Sequence, residues 1–300
     1  MKLLGKYRNG NYDVRIYDDG TKIRETEENE FIPAFSENCD VKLTACCSIG
    51  CKFCYENCTP AGKHAEIDFS SRLFDSLHPY TEFALNGNDM DHPQLEELLV
   101  KLREKKVIAN ITLHADQFLN NFMKVRRLQH DGLVFGIGIS VSGVASDRQA
   151  AAVDASKKLR NCVFHTIAGV TSPEEYETLA EHKCKVLVLG YKELGRGVGY
   201  EAANQTDIQE KRKWLYDNLE NLSEKCAVLS FDNLAIEQLD VKRIMSDEQW
   251  EEFYMGDDGQ YTFYIDLVKK EYAMNSLSGR RFPLENKTVD EMFTSIRTKK

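Results

Sequence analysis

Three cysteines of this chain are spaced so that their thiolates could share one metal centre. Cys47, Cys51 and Cys54 form a C-x3-C-x2-C pattern within the run CCSIGCKFCYEN. A site built from thiolates selects soft or borderline metals, chiefly iron–sulfur clusters and zinc. Structural zinc and electron-transfer clusters usually have four cysteine ligands, so three ligands leave one corner open for an exogenous ligand. The spacing therefore predicts a metal centre that takes part in chemistry.

Zinc is the competing interpretation of the same run. Cys58 extends the row to C-x3-C-x2-C-x3-C, and Cys46 adds a thiol beside the first predicted ligand. Structural zinc sites normally join two short cysteine knuckles across a longer gap, and the sequence has no second knuckle. The spacing therefore favours an iron–sulfur cluster, and a zinc-stabilised binding module without enzymatic activity is the alternative.

The cysteine run resembles the signature of the radical S-adenosylmethionine (SAM) superfamily, which has this spacing and an aromatic residue before the last cysteine. Phe53 occupies that aromatic position in C-K-F-C. The resemblance implies a [4Fe-4S] cluster on Cys47, Cys51 and Cys54, with SAM on the free iron through its amino and carboxylate groups. It also implies reductive cleavage of SAM to a 5′-deoxyadenosyl radical, with electrons from an external donor such as flavodoxin or ferredoxin.

Length, composition and charge limit the function classes. With 300 residues and 42% hydrophobic content, the chain can bury a large core. The sequence lacks both a secretory leader and a run of about 18 apolar residues, and nine cysteines are too few for a disulfide scaffold. These features predict a cytoplasmic protein without a membrane partner. A formal net charge of −9 disfavours nucleic acid as a partner, because phosphate binding needs a basic face.

Short β-branched runs alternate with amphipathic helical runs from Asp40 onward, a pattern typical of parallel strands joined by right-handed helical crossovers. Residues 11–26 alternate apolar and polar side chains around an Asp-Asp-Gly turn, which predicts a β-hairpin. The fold class is therefore predicted as α/β, a partial, TIM-like (β/α)6 barrel, and the family resemblance implies the same fold. Its strands are predicted at 40–44, 81–86, 107–114, 133–141, 161–168 and 184–190.

Polar residues collect at the predicted carboxyl ends of these strands, where barrel enzymes place their working groups. The segment LNGNDMDHP is similar to the family's Gly-Gly-Glu-Pro segment, which meets the SAM amino group, and Asn88 stands at the glutamate position. Ser140 resembles the serine of the family's strand-four motif, which approaches the SAM ribose or carboxylate. The resemblance implies a SAM-binding set made of Phe53, Asn86, Gly87, Asn88, His114, Ser140 and Ser142.

The sequence does not identify a catalytic residue, and three residues are candidates only. His165 lies on the fifth predicted strand and either satisfies a buried hydrogen bond or acts on a substrate. Tyr191 and Lys192 follow the sixth strand in the glycine-rich run GYKELGRGVGY, and the tyrosine O–H can quench a carbon radical. This run, residues 190–200, is either a lid whose cations, Arg196 among them, hold a carboxylate or phosphate, or a solvated linker.

The alternation stops near residue 231, and two helical runs then precede a second hairpin, YTFYIDLVKKEYAMN, and a last helix near Thr288. This arrangement resembles the SPASM or twitch region of peptide-modifying radical SAM enzymes, in which cysteines hold auxiliary clusters. Residues 227–300 contain no cysteine, so no auxiliary cluster is expected there. The predicted organisation is a hairpin extension at 1–35, a barrel at 36–230 and a small α+β region at 231–300.

The predicted function is hydrogen-atom abstraction from a peptide or a small polar molecule by a radical SAM enzyme with one cluster. The SPASM-like region favours a peptide substrate. The missing auxiliary cysteines instead favour a small molecule, and a nucleoside or nucleotide is an alternative within the same class. The substrate and the bond that is formed do not follow from the residues.

Overall fold

The N-terminal part of the chain is a small antiparallel sheet. The computed structural model, which describes residues 1–86 and 89–298, has β1 (Leu3–Asn9), β2 (Tyr12–Tyr17) and β3 (Lys22–Glu25) in that order. The predicted hairpin is confirmed, because β2 and β3 pair on either side of the turn. Gly20 in this turn has a φ of 92°, which glycine adopts at the least cost. The first strand was not predicted.

The body of the chain is a ten-stranded sheet. Seven consecutive strands of this sheet run parallel to one another, and each after the first pairs with the strand that precedes it in the chain. The six predicted strands are confirmed to within a few residues, and β10 is a seventh that was not predicted. These strands are β4 (Asn38–Lys42), β5 (Glu82–Asn86), β6 (Ile108–His114), β7 (Gly136–Ser140), β8 (Cys162–Ile167), β9 (Lys185–Leu189) and β10 (Val228–Phe231).

The remaining three strands of this sheet come from the C-terminal region. The predicted second hairpin is confirmed as β11 (Thr262–Asp266) and β12 (Glu271–Ala273), and β13 (Phe282–Pro283) extends it. Strand β11 pairs in parallel with β4, so the hairpin belongs to the main sheet. Within the described residues the sheet does not close on itself by hydrogen bonding, because β10 and β13 are its two edges.

Helices connect the parallel strands in sequence, so successive right-handed crossovers place them on one face of the sheet. Ser172 and Glu175 form a capping box at the start of one of these helices. In the part of the chain that the structure describes, no helix has both the length and the apolarity to cross a bilayer. The helices are α1 (Arg72–Asp75), α2 (Leu95–Glu104), α3 (Ala115–Asn120), α4 (Phe122–His130), α5 (Ser146–Ser156), α6 (Pro173–Glu181), α7 (Arg196–Lys225), α8 (Asn233–Leu239), α9 (Asp247–Phe253) and α10 (Val289–Arg297).

The main core lies between these helices and the sheet. In α2, Leu95, Leu98, Leu99 and Leu102 recur at helical spacing and are buried, so this apolar stripe faces the sheet. Each buried leucine contributes about 1.5–3 kcal/mol relative to an exposed one. The helices therefore cover one face of the sheet, and a ligand can reach the opposite face.

The N-terminal sheet covers the amino ends of the parallel strands on that opposite face. Tyr12 and Val14 of β2 pack with Ile108, the first residue of β6. The turn after β2 is also tied to the main sheet, because Asn161 donates to Asp18 O at 3.0 Å, just before β8 begins. The predicted extension therefore forms the floor of the space beside the sheet, and the carboxyl ends of the strands lie at the other end.

A buried carboxylate connects the N-terminal sheet to the main sheet. Glu37, just before β4, has a side chain that is 1% exposed. It accepts hydrogen bonds from Tyr12 Oη at 2.6 Å and Arg24 Nε at 2.8 Å, and Lys22 Nζ lies 3.3 Å away. Burial opposes ionisation, but the charges of Lys22 and Arg24 outweigh it and hold the pKa of Glu37 below its usual value.

We expect Glu37 to make stability fall at acid pH. Its contribution is complete above the ordinary glutamate pKa of 4.5, which applies to the unfolded chain, and is lost as the pH falls through the lower folded value. Between about pH 6 and about pH 3, the melting temperature of Glu37→Gln should therefore fall less steeply than that of the unaltered chain. The control is Glu25→Gln, whose side chain is 52% exposed. Parallel falls for Glu37→Gln and the unaltered chain would contradict this assignment.

Candidate functional site at the cysteine loop

Residues 45–63, here called the cysteine loop, follow β4 at the carboxyl ends of the parallel strands. The loop is closed by its own backbone, since Ala45 N donates to Lys63 O at 2.8 Å and Cys47 N donates to Thr59 O at 2.9 Å. A Cβ added to Gly62 would lie 1.8 Å from Ala45 O, so only glycine permits this close approach. These backbone contacts close the loop without involving its thiols.

The thiols of the loop differ in their surroundings. Burial and the neighbouring Cys54 and Cys47 raise the pKa of Cys51 to about 11. A hydrogen bond from the Cys58 thiol lowers the pKa of Cys54 to about 6, so Cys58 lies beside the third predicted ligand. Cys46 is directed elsewhere, because its Sγ donates to a backbone carbonyl of the loop at 3.4 Å.

The donor set fits a thiolate-bound metal centre by its chemistry. Cys47, Cys51 and Cys54 are free, partly buried thiols, and both neighbours act electrostatically on the middle one. Among residues 1–86 and 89–298, no three Cys, His, Asp or Glu side chains already stand close enough to share one metal ion. A cluster or a zinc ion would therefore have to draw these side chains together, and Cys58 is near enough to Cys54 to take part.

An arginine from the glycine-rich run fixes the cysteine loop. Arg196 Nε donates to Cys51 O at 2.9 Å, and Nη1 donates to Cys58 O at 2.8 Å. Its backbone N–H donates to Cys54 O at 3.0 Å. The cation that the sequence offered for a substrate carboxylate or phosphate is thus bound to backbone carbonyls in this structure.

The packing of the glycine-rich run against the loop is close. Gly195 has a φ of 55°, and an added Cβ would lie 2.5 Å from Tyr55 O. Phe53 packs edge-on against Tyr200, with ring centroids 5.7 Å apart. The run is therefore part of the wall that supports the loop, and a side chain at residue 195 would push the two segments apart.

Removing the guanidinium should loosen the loop without unfolding the chain. We expect Arg196→Gln to raise amide exchange across residues 47–58 about tenfold or more, because each hydrogen bond to a charged group contributes about 1.5–3 kcal/mol. Hydrogen-exchange mass spectrometry on the metal-free protein measures this directly. The control is Arg15→Gln, which removes an exposed arginine from β2. Unchanged exchange in the loop would show that Arg196 does not hold it.

A buried ionic network anchors the other side of the loop. Lys42, the last residue of β4, forms an ion pair with Glu56 of the loop, and its Nζ lies 3.6 Å from Asp266 of β11. Tyr264 Oη donates to Glu56 Oε1 at 3.0 Å. The lysine side chain is 5% exposed and that of Asp266 is 2% exposed. The sequence analysis missed these residues, because β11 and β4 become neighbours only in the folded chain.

A cavity of about 820 Å³ lies on the face of the main sheet opposite the helices that connect its parallel strands. Phe53 and Tyr55 of the cysteine loop line it at the carboxyl ends of the strands, and Gly20 and Asn161 line it near the floor. Its volume lies within the range of about 300–1,000 Å³ that small-molecule sites occupy. The cavity is therefore large enough for a ligand and opens directly below the loop.

Small residues on the inner face of the sheet create this space. Ala84 of β5 and the two glycines of β7, Gly136 and Gly138, all line the cavity. A Cβ on Gly138 would lie 2.5 Å from the ring of His165, and one on Gly136 would lie 2.5 Å from Asn110 Oδ1. The alternating glycines of the run GIGIS are a local signal of this space that the predicted site residues did not include. Glycine within a strand often marks a place where a ligand or another segment approaches the backbone closely.

The structure divides the predicted site residues between two neighbouring spaces. Phe53, Asn86, His165, Tyr191 and Lys192 line the main cavity. A second groove of about 800 Å³ is lined by Phe53, His114 and Ser142. Ser140 pairs with His114 across β7 and β6, whereas Gly87 and Asn88 lie outside the described residues.

Several of these side chains already have partners within the chain. His114 Nδ1 accepts from the N–H of Asp116 at 3.2 Å and caps α3, and burial lowers the pKa of this histidine. Ser142 Oγ lies 2.8 Å from Thr171 Oγ1 in a buried contact. Tyr191 is buried, and its hydroxyl donates to a backbone carbonyl of the glycine-rich run at 2.6 Å. These contacts give the residues a structural role whether or not they meet a ligand.

The interior of the cavity carries charges from distant parts of the chain. Burial raises the pKa of Asp40 on β4 and that of Asp232 after β10, although the Lys192 ammonium acts against the rise at both. Lys192 Nζ donates to Ser276 Oγ at 3.0 Å and lies 4.2 Å from the centre of the Tyr55 ring. Burial lowers the pKa of His165 to about 4, so its imidazole is neutral at physiological pH.

Comparison of the sequence with profiles of known protein families finds no match, and comparison with curated proteins finds none either. The cysteine motif and the geometry around it are therefore the features from which a function can be proposed. The two features that this geometry brings together are the cysteine loop and the cavity beneath it.

Proposed function

We propose that this chain is a radical SAM enzyme that abstracts a hydrogen atom from a peptide or a small polar substrate. The observation that carries the proposal is the contact between the cysteine loop and the cavity. Phe53 and Tyr55 stand on either side of Cys54, and both line the cavity. A group bound at the loop would therefore face the space in which a substrate can lie.

In this proposal Cys47, Cys51 and Cys54 bind a [4Fe-4S] cluster, and SAM occupies the iron that has no protein ligand. When bound, the cluster supplies the electron that cleaves SAM to a 5′-deoxyadenosyl radical. The chain itself holds the loop in place through Arg196 and provides a cavity beside the loop in which a substrate can bind. Fixed distances between loop and cavity wall would direct the radical to one C–H bond.

Several of the residues proposed to bind SAM line two neighbouring spaces, and Phe53 lines both of them. Asn86 lines the main cavity, and His114 and Ser142 line the second groove. Ser140 is next to His114 in the sheet register. SAM bound at the loop would therefore meet these groups where the two spaces join, beside the carboxyl ends of β5, β6 and β7.

The proposed architecture is a partial barrel of the TIM type. Its support is that residues from β4, from β10 and from β11 line one cavity, which requires the sheet to curve around it. Loops bridge the remaining gap: Asn233 Nδ2, at the start of α8, donates to Asp258 Oδ1 at 2.9 Å, and Asn275 donates to the same carboxylate. The C-terminal region would thus close the open side of the barrel without auxiliary cluster ligands.

The proposed setting follows from this chemistry. A cytoplasmic compartment suits a chain whose nine cysteines are all free thiols. A reduced flavodoxin or ferredoxin would supply the electron, and the exposed Lys52 lies in the cysteine loop, where such a donor would approach. These assignments depend on the presence of the cluster.

Anaerobic reconstitution with iron and sulfide tests the proposal. We expect a brown protein with about four iron and four sulfide per chain, and 5′-deoxyadenosine should form when SAM and a strong reductant are added. A colourless protein that binds zinc and no iron would replace the proposal with the zinc-stabilised binding module. That outcome has a structural basis, since Cys58 lies beside Cys54.

A further inference from the structure

One carboxylate that lines the cavity has few partners within the chain. Asp40 is on the inner face of β4, where its register neighbours are Tyr264 on β11 and Ala84 on β5. Among the described residues, the only side chain that donates to it is Asn38, at 3.0 Å from Oδ1. Asp40 lines the cavity and is partly exposed to it, so a ligand can reach its carboxylate. Among the described residues, no cation forms an ion pair with it.

The cation nearest to this carboxylate is held away from it. Lys192 acts electrostatically on Asp40 and on Asp232, but within the described residues no carboxylate oxygen lies within 4.0 Å of its Nζ. It donates instead to Ser276 and lies over the Tyr55 ring. The lysine therefore weakens the negative potential of the cavity without neutralising either carboxylate.

The charge count around the middle of the cavity is negative. Asp258 adds to the negative potential at both Asp40 and Asp232, and the ammonium of Lys192 opposes it at both. Glu82 of β5 also acts on Asp40, but it is paired with Lys22 at 2.7 Å. Apart from Glu82, these groups come from β4, from the segments that follow β9 and β10, and from the loop before β11. The fold thus concentrates negative charge at one place, at a cost that a bound cation would offset.

We infer that the substrate of this cavity carries a positively charged amine or guanidinium group and that Asp40 is the residue that binds it. The inference rests on the proposed function only in taking the cavity as the substrate site. A primary ammonium fits, because it donates in three directions and can bridge Asp40 to other acceptors. Such a group occurs on a lysine side chain of a peptide and on a free alkylamine, and the test separates these two sources.

A binding experiment on the full-length protein, as isolated and after cluster reconstitution, tests the inference. The probes are acetyl-Gly-Lys-Gly-amide, its norleucine counterpart and cadaverine, titrated by calorimetry in the presence of saturating SAM. We expect the lysine peptide or the amine to bind and the uncharged norleucine peptide to bind about tenfold more weakly or less. Binding of the lysine peptide alone indicates a peptide substrate, whereas binding of cadaverine alone indicates a small amine.

Paired variants make the result specific to Asp40. Asp40→Asn should weaken binding of the cationic probe about tenfold or more, whereas Asp19→Asn should change it little. Asp19 is a matched control, because it lines the same cavity near its floor and is exposed. Lys192→Gln should tighten the binding, since it removes a like charge, and it keeps the test open if Asp40→Asn fails to fold.

Four results would overturn the inference. They are equal binding of all three probes or binding of none, equal effects of the Asp40 and Asp19 variants, weaker binding in Lys192→Gln, and an amine signal that is seen without SAM and lost with it. The last would assign Asp40 to the cation of SAM. Iron content and deoxyadenosine formation are measured on the same samples, so failure of the proposed function is read separately from failure of the amine site.

Discussion

Cys51→Ala is expected to purify without iron and to form no measurable 5′-deoxyadenosine from SAM. The substitution leaves two predicted ligands, and two thiolates do not hold a [4Fe-4S] cluster that binds SAM. Substituting residues that only hydrogen-bond to metal ligands already lowers metal affinity or activity by about 10–100-fold. Removing a ligand itself should therefore lower both by more. The measurements are iron and sulfide content and the yield of deoxyadenosine under anaerobic, reducing conditions. Deoxyadenosine at the level of the unaltered chain would remove Cys51 from the ligand set.

Two neighbouring cysteines provide the controls for this experiment. Cys46→Ala should keep iron and activity, because the thiol of Cys46 is directed to a backbone carbonyl of the loop. Cys58→Ala separates the two interpretations of the motif. A cluster on three ligands survives it, whereas a closed zinc site loses its fourth ligand and the folding energy that comes with the metal. Loss of metal in Cys58→Ala together with Cys51→Ala would therefore favour zinc.

The parallel strands could be predicted because their signals are local. Each is a short run whose buried positions are mostly apolar, and it lies between helical runs of clear amphipathic period. Helix α2 illustrates the contrast with its four leucines on one face. The N-terminal hairpin was also local, since its turn residues stand between the strands that they join. In both cases the residues that decide the structure lie within about 20 positions of one another.

The parts that were missed depend on partners far apart in the chain. Strand β11 pairs with β4, and Thr262 lies opposite Asn38 across most of the sequence. The run 228–231 is too short to indicate a strand by itself, and it gains its place by pairing with β9. Neither pairing has a local signal, because any parallel strand offers the same backbone groups to its neighbour.

The candidate site shows the same division. The cysteine motif and Phe53 could be recognised from their spacing. Asn86, His165 and Lys192 were predicted near the carboxyl ends of the strands, and all three line the cavity. The charged groups that shape the cavity did not follow, since the partners of Asp40 depend on how the sheet curves. Spacing therefore predicts a set of metal ligands, whereas the charge of a substrate could be inferred only from the folded chain.

The ionic network beneath the cysteine loop should have the largest effect on stability. Lys42→Met keeps the length of the side chain but removes the ammonium that faces Glu56 and Asp266. Breaking a buried pair by removing one partner costs about 3–5 kcal/mol, because the remaining charges stay buried without compensation. We expect the free energy of unfolding, measured by urea denaturation of the metal-free protein, to fall by that amount.

The control is Lys269→Met, which makes the same chemical change at a site where the side chain is 64% exposed. Its pairing with Glu271, at 3.9 Å, is screened by water, so the free energy of unfolding should change by less than about 1 kcal/mol. Equal losses in the two variants would mean that the buried network contributes no more than a surface pair. If only Lys42→Met is destabilised, then adding Glu56→Gln to that variant should restore part of the lost stability. The second substitution removes one of the carboxylates that the lysine had neutralised.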